Sequence, residues 1–211
     1  MLPLNNSFLF IVLIFASTNL NAKFFNIDIT FESGLFLESQ KNFVSEIKAI
    51  ESKKELEELL LSQDWIDSYS LKFKPFSDEA TLSILNRKPI FILNSEFYVD
   101  KNLKLFKFDG TITNLIHVKG PLNDMSIIVS IINAIEKENN KDEFFIVKTI
   151  SYNHTIGWKI KTNKFEIKLG KNVSSSKFKS LKDTLNYLYD KRKIPTMIDL
   201  RYKDGVALSY G

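Results

Sequence analysis

The sequence predicts an α+β fold, and three observations carry that prediction. Apolar residues recur at period two in short runs from Phe24 to Leu208, the pattern of strands with one buried face. Between those runs lie stretches whose apolar residues follow helical spacing instead. Hydrophobic residues make up 44% of the 211, enough for a packed core and too many for wholesale disorder.

The chain begins with an apolar run, Phe8 to Ala16, blunted by Asn5, Asn6, Ser7, Thr18 and Asn19. A full membrane span needs ~20 apolar residues, and a run of ~10–14 is typical of a signal-peptide core. No Lys or Arg precedes it, and Leu20-Asn21-Ala22 is a poor small-x-small cleavage site. An uncleaved anchor and a signal peptide both stay open; either would export the rest of the chain.

The first strand is expected over Phe24 to Phe31, with Phe25, Ile27, Ile29 and Phe31 alternating against polar residues. An amphipathic helix follows over Gln40 to Ile50, with Phe43, Ile47 and Ile50 on one face. Ser52-Lys53-Lys54-Glu55 has the form of a capping box opening a second helix that carries Leu56, Leu59 and Leu60 inward. Tyr69, Leu71 and Phe73 form the next alternating set, Pro75 to Asp78 a turn, and Ala80, Leu82 and Ile84 a third strand. Strand, helix, helix, strand, strand in about 65 residues packs most economically as a three-stranded sheet under two helices.

Further on, Phe97 to Asp100 and Ile116 to Lys119 read as strands, and Asn123 to Glu138 as a helix with Met125, Ile128, Val129, Ile132 and Ile135 at helical spacing. Phe144, Ile146 and Ile150 suggest another strand. Trp158 to Gly170 reads as a hairpin around Asn163. Ser174-Ser175-Ser176 can cap a helix to about Tyr189, with Phe178, Leu181, Leu185 and Leu188 inward. Ile198, Leu200 and Tyr202 then alternate with Asp199 and Arg201, Gly205 suits a turn or bulge, and Val206 to Leu208 resumes β character. A strand in this last position is a natural sheet edge, open to a partner strand.

Composition excludes several classes. Without cysteine there are no disulfides, thiolate metal sites or Cys nucleophile. Only Arg87, Arg192 and Arg201 supply guanidinium forks, and lysines are scattered among acids, so no nucleic-acid partner is expected. His117 and His154 lack a spaced ligand set, and no nucleophile elbow or phosphate loop occurs, so neither metal nor cofactor nor catalytic site is expected. Glu57-Glu58 and Asp142-Glu143 read as solvated, Trp65 and Trp158 as core anchors, and Lys159, Lys161, Lys164 and Lys168 as a solvated strand face rather than a headgroup site.

Several of these stretches resemble the FtsQ/DivIB family of bacterial division proteins. Asp64-Trp65-Ile66-Asp67-Ser68-Tyr69-Ser70-Leu71, at the end of the second helix, is similar to the pattern of a POTRA domain, with Asp64 where Pro is usual. Phe97-Tyr98-Val99-Asp100, Ile116-His117-Val118-Lys119-Gly120-Pro121, the Trp158 hairpin ending Leu169-Gly170, and above all Asp199-Leu200-Arg201-Tyr202 followed by Gly205-Val206-Ala207 resemble the family's second half. His154-Thr155-Ile156-Gly157 stands where relatives carry basic residues before that Trp.

The resemblance implies a membrane anchor over 1–22, a POTRA domain over 23–93 and a mostly antiparallel β domain with flanking helices over 94–211. It implies a single-pass inner-membrane protein of the division septum with its C-terminal domain in the periplasm, and a non-enzymatic scaffold without cofactors. Its partners would be FtsB-like and FtsL-like proteins among other division proteins, bound by strand addition at the last strand. The implied contact residues are Arg201, Tyr202, Gly205, Val206, Ala207, Leu208, Ser209 and Tyr210. A POTRA-bearing transport or outer-membrane assembly factor is the alternative.

Overall fold

The computed structural model describes residues 26–34, 37–121, 124–139, 145–203 and 205–210. It is an α+β protein whose described residues form four helices and two mixed sheets.

The first unit comprises β1 (Asn26–Phe31), α1 (Glu38–Ile47), α2 (Lys53–Ser62), β2 (Ile66–Phe73) and β3 (Glu79–Asn86). Its sheet has the order β1-β3-β2, with β1 parallel and β2 antiparallel to β3. A tight hairpin joins β2 to β3, whereas the α1–α2 crossover lets β1 lie parallel to β3. Ala80, Leu82 and Ile84 of β3 point at the helices, where Phe43, Ile47, Leu56 and Leu60 are buried. Trp65 is sealed in this core, edge-on to Phe43 at 5.4 Å. Ser52 Oγ accepts the Glu55 N–H at 3.2 Å and so caps α2. The Glu55 carboxylate reaches the N–H of Glu51 rather than that of Ser52, a box widened by one residue.

The second unit contributes β4 (Pro89–Leu93), β5 (Phe97–Asp100), β6 (Leu105–Lys107), β7 (Ile116–Lys119), α3 (Ser126–Asn139), β8 (Val147–Asn153), β9 (Gly157–Thr162), β10 (Glu166–Gly170), α4 (Ser175–Asp190), β11 (Met197–Asp199) and β12 (Ala207–Ser209). They build one nine-stranded sheet in the order β12-β11-β10-β9-β8-β7-β4-β5-β6. Through it runs an apolar ladder, Val118–Ile150–Ile160–Ile167–Ile198–Leu208, each residue in register with the next. Together with Leu181, Leu185 and Leu188 of α4 and Ile128, Ile131 and Ile135 of α3, the ladder belongs to one core. The opposite face is divided. At the β4–β6 end, Ile92, Tyr98 and Phe106 are buried in the first unit's core; from β7 to β12 the face is polar. Burial pushes the Tyr98 hydroxyl up to about 12, while Asp109 and Ile112 satisfy it by hydrogen bonds.

Arg87 bridges the units, placing one terminal nitrogen 3.0 Å from Asp67 and 2.9 Å from the buried Asp100. Burial pushes the Asp100 carboxyl up, but the N–H groups of Lys104 and Asn102 and the Arg87 guanidinium outweigh it, holding it below its ordinary value.

The large sheet is mixed: five of its eight pairings are antiparallel, and β4–β7, β7–β8 and β10–β11 pair in parallel. The cause is connectivity: α3 between β7 and β8 and α4 between β10 and β11 are helical crossovers that bring the second strand back parallel, and β5 and β6 lie between the parallel pair β4 and β7. The membrane segment of the expected fold, and with it the single-pass inner-membrane placement, is corrected: among the described residues no helix is long and apolar enough to cross a membrane. The stretch expected to anchor the chain, 1–22, lies outside the described residues, as do Phe144 and Asp142-Glu143.

Gly157 and Gly170 meet where the backbones at the ends of β9 and β10 touch, both with φ near +80°. A Cβ on Gly157 would overlap the Gly170 carbonyl and the Lys171 nitrogen. Gly157→Ala is therefore expected to lower unfolding stability by about 2–4 kcal/mol, strain and overlap combined. Gly110→Ala, with open space around its Cβ, should cost only about 1 kcal/mol. Urea denaturation of both variants checks the difference.

Candidate functional site

The site begins with the sheet's two edges. β6 is one of them, and it is blunted: the Lys107 N–H donates to the Asp64 carboxylate of the first unit at 2.8 Å. β12 is the other, and among the described residues it pairs with β11 alone.

Ladder polarity shows which backbone groups of β12 point outward. The Glu166 N–H donates to Thr196 O at 3.1 Å, and the Leu200 N–H to Lys168 O at 2.8 Å. In a parallel pair with Ile167 opposite Ile198, this turns the backbone of Ile198 toward β10. Met197 and Asp199 therefore face β12 and bond their register partners Ser209 and Ala207. The N–H and C=O of Leu208 are left in the sheet plane, directed away from β11. Its side chain meanwhile packs on the core as the last rung of the apolar ladder.

The connection before β12 departs from the sequence reading. An unbroken strand was expected from Ile198 to Tyr202, but β11 ends at Asp199. Asp199 Oδ1 accepts the Arg201 N–H at 3.0 Å, an Asx-type turn, and the Arg201 guanidinium grips both carboxylate oxygens, with its Nη2 2.7 Å from Oδ2. Leu200 stays buried while Arg201, Tyr202 and Lys203 turn outward. Arg201 and Tyr202 thus sit in the connection, Gly205 and Val206 lead into β12, Ala207, Leu208 and Ser209 form it, and Tyr210 follows. Tyr202 and Tyr210 are 60% and 53% exposed. Beside the connection, a cleft of about 370 Å³ opens toward the start of α4, lined by Ser174, Ser176, Lys177, Arg201, Tyr202 and Lys203.

Sequence reasoning brought the eight expected residues to one place but missed the Asp199–Arg201 staple. Asp-x-Arg followed by a glycine four residues on was the available signal. It also missed Asp64 as the cap of the opposite edge, a contact across 43 residues that no local pattern encodes. Trp65 and Trp158 are both buried.

What fold and site define together is a class by geometry: an α+β protein whose large mixed sheet is blunted at one edge and, among the described residues, open at the other. The chain matches no known family model and no curated protein.

Hydrogen bonds from Arg201 hold the Asp199 carboxyl below its ordinary value, against the opposing effect of burial. A depressed carboxyl stabilises the fold above its unfolded value of ~3.9, and that contribution disappears as pH falls through the lower folded value. The β11–β12 connection is expected to lose amide-exchange protection at Arg201 and Ala207 below about pH 4. Asp199→Asn should show the same loss at neutral pH, measured by hydrogen exchange.

Proposed function

We propose that the chain is a non-enzymatic scaffold of the FtsQ type, which binds an FtsB-like division protein, together with an FtsL-like one, by strand addition at β12. The observation that carries this reading is the open β12 edge, with the backbone of Leu208 directed outward while the other end of the sheet is capped by Asp64. The string Asp199-Leu200-Arg201-Tyr202 with Gly205-Val206-Ala207, which resembles the family's, falls at this same edge.

In this reading the roles divide by position. Ala207, Leu208 and Ser209 form the docking strand, and Leu208 offers the main-chain donor and acceptor. Val206 and Leu208 fix the strand on the core. Tyr202 and Tyr210 are exposed aromatic anchors, apolar rings with polar tips. Gly205 stands at the entry to the strand, with open space where a Cβ would sit. Arg201, gripped by Asp199, retains Nη1 for a partner carboxylate.

Leu208→Pro tests the mechanism: proline removes the outward donor and is tolerated at a strand edge, and Leu208→Ala, which keeps that donor, carries the loss of the side chain that packs on the core. The full chain is titrated with an FtsB-like segment from the same genome by calorimetry. Affinity should fall about tenfold or more for Leu208→Pro relative to Leu208→Ala, and should be preserved in Leu208→Val. Tyr202→Ala and Tyr210→Ala should each cost about 1–3 kcal/mol of binding. Full-strength binding by Leu208→Pro would sink strand addition at β12.

A further inference from the structure

The polar half of the large sheet's second face is a cationic surface, and we infer that it docks an acidic polypeptide segment laid across the strands. The register builds it in two cross-strand rows. One runs Lys119–Ser151–Lys159–Lys168–Asp199 from β7 to β11. The other runs His117–Thr149–Lys161–Glu166–Met197. These side chains lie opposite the face covered by α3 and α4 and beyond the part covered by the first unit.

Lys159 stands directly opposite Lys168 across β9–β10, and like charges so placed repel. The carboxylates of the face relieve part of this: Glu166 lies 3.1 Å from Lys159, and Asp199, gripped by the Arg201 guanidinium, also attracts Lys168. Four lysines and Arg201 against these two acids leave an excess of three positive charges. Ser151 lies between Lys119 and Lys159, its hydroxyl donating to the Lys159 carbonyl at 3.4 Å, and Thr149 places a hydroxyl between His117 and Lys161. With strands ~4.8 Å apart, Lys119 to Lys168 spans about 14 Å, the reach of an extended segment rather than of a single ion.

Polypeptide is favoured over other anionic partners by what the rows lack. They hold no aromatic side chain on which bases would stack apart from His117, and no guanidinium fork other than the one engaged by Asp199. They also present no large exposed apolar side chain to enter a lipid surface. The inference does not depend on strand addition at β12.

The test titrates the full chain with a fluorescent oligoglutamate peptide at low salt, and in parallel with phosphatidylglycerol vesicles. Lys159→Glu with Lys168→Glu should weaken oligoglutamate binding by about tenfold or more. Lys179→Glu with Lys191→Glu, the same charge change on α4 and its C-cap, should weaken it less than about twofold. Lys159→Gln with Lys168→Gln, a milder pair, should give an intermediate loss and guards against misfolding by reversed charge. Equal loss in the two reversal pairs would show attraction to net charge alone and overturn the inference. No binding by the wild-type chain would overturn it too, as would tighter binding to vesicles than to oligoglutamate.

Discussion

The apolar ladder Val118–Ile150–Ile160–Ile167–Ile198–Leu208 is the constraint on which the second unit depends. It links six strands by register, and α3 and α4 have no other continuous surface on which to bury their leucines and isoleucines. A slip of one residue in any of these strands would turn its rung to the polar face and bring a lysine, serine or aspartate into the core. The ladder therefore fixes the lysine rows as firmly as it fixes the core, because the two faces are set by the same registers. It also ends on Leu208, so the side chain that secures the edge strand and the backbone that leaves it open belong to one residue.

The other face explains how the two units join. Ile92, Tyr98 and Phe106 lie where the first unit's core meets the sheet, and Arg87 closes the seam against the buried Asp100. Breaking that ion pair would strand a buried carboxylate, which costs far more than an exposed pair contributes. The first unit also supplies Asp64 to the β6 edge. The union that buries one half of the second face thus removes one of the two pairing edges, and among the described residues leaves β12 as the other.

Much of this was legible in the sequence where local pattern and tertiary packing agree. The β-α-α-β-β order, the Ser52 cap, the Trp158 hairpin and the inward leucines of α4 all rest on periods and caps that neighbouring residues alone determine. The parallel pairings were not legible from hairpin signals, because they depend on crossovers that join strands far apart in the sequence. The end of β11 was hidden for a different reason. Ile198, Leu200 and Tyr202 keep a strand's alternation, and Leu200 is indeed buried, but the Asp199–Arg201 contact bends the chain before Tyr202 can join the sheet. A side-chain staple of that kind overrides period two without leaving a gap in it.

Magnitudes limit what the β12 edge can do unaided. The strand is three residues long, and by alternation only Val206, Leu208 and Tyr210 direct backbone groups outward. Each main-chain hydrogen bond to a partner contributes about 0.5–1.5 kcal/mol net, so even a full set yields roughly 3–9 kcal/mol. Association costs at least ~4 kcal/mol in lost translation and rotation, before any ordering of the partner. Strand pairing by itself therefore sets orientation and register rather than tight affinity. The balance must come from side chains that bury area or meet charge beside the strand. Tyr202 and Tyr210 flank the strand in sequence, the cleft toward α4 opens beside its connection, and the rows of lysines end one strand away at Asp199. An edge this short is useful as a recognition element because its surroundings decide which strand it accepts.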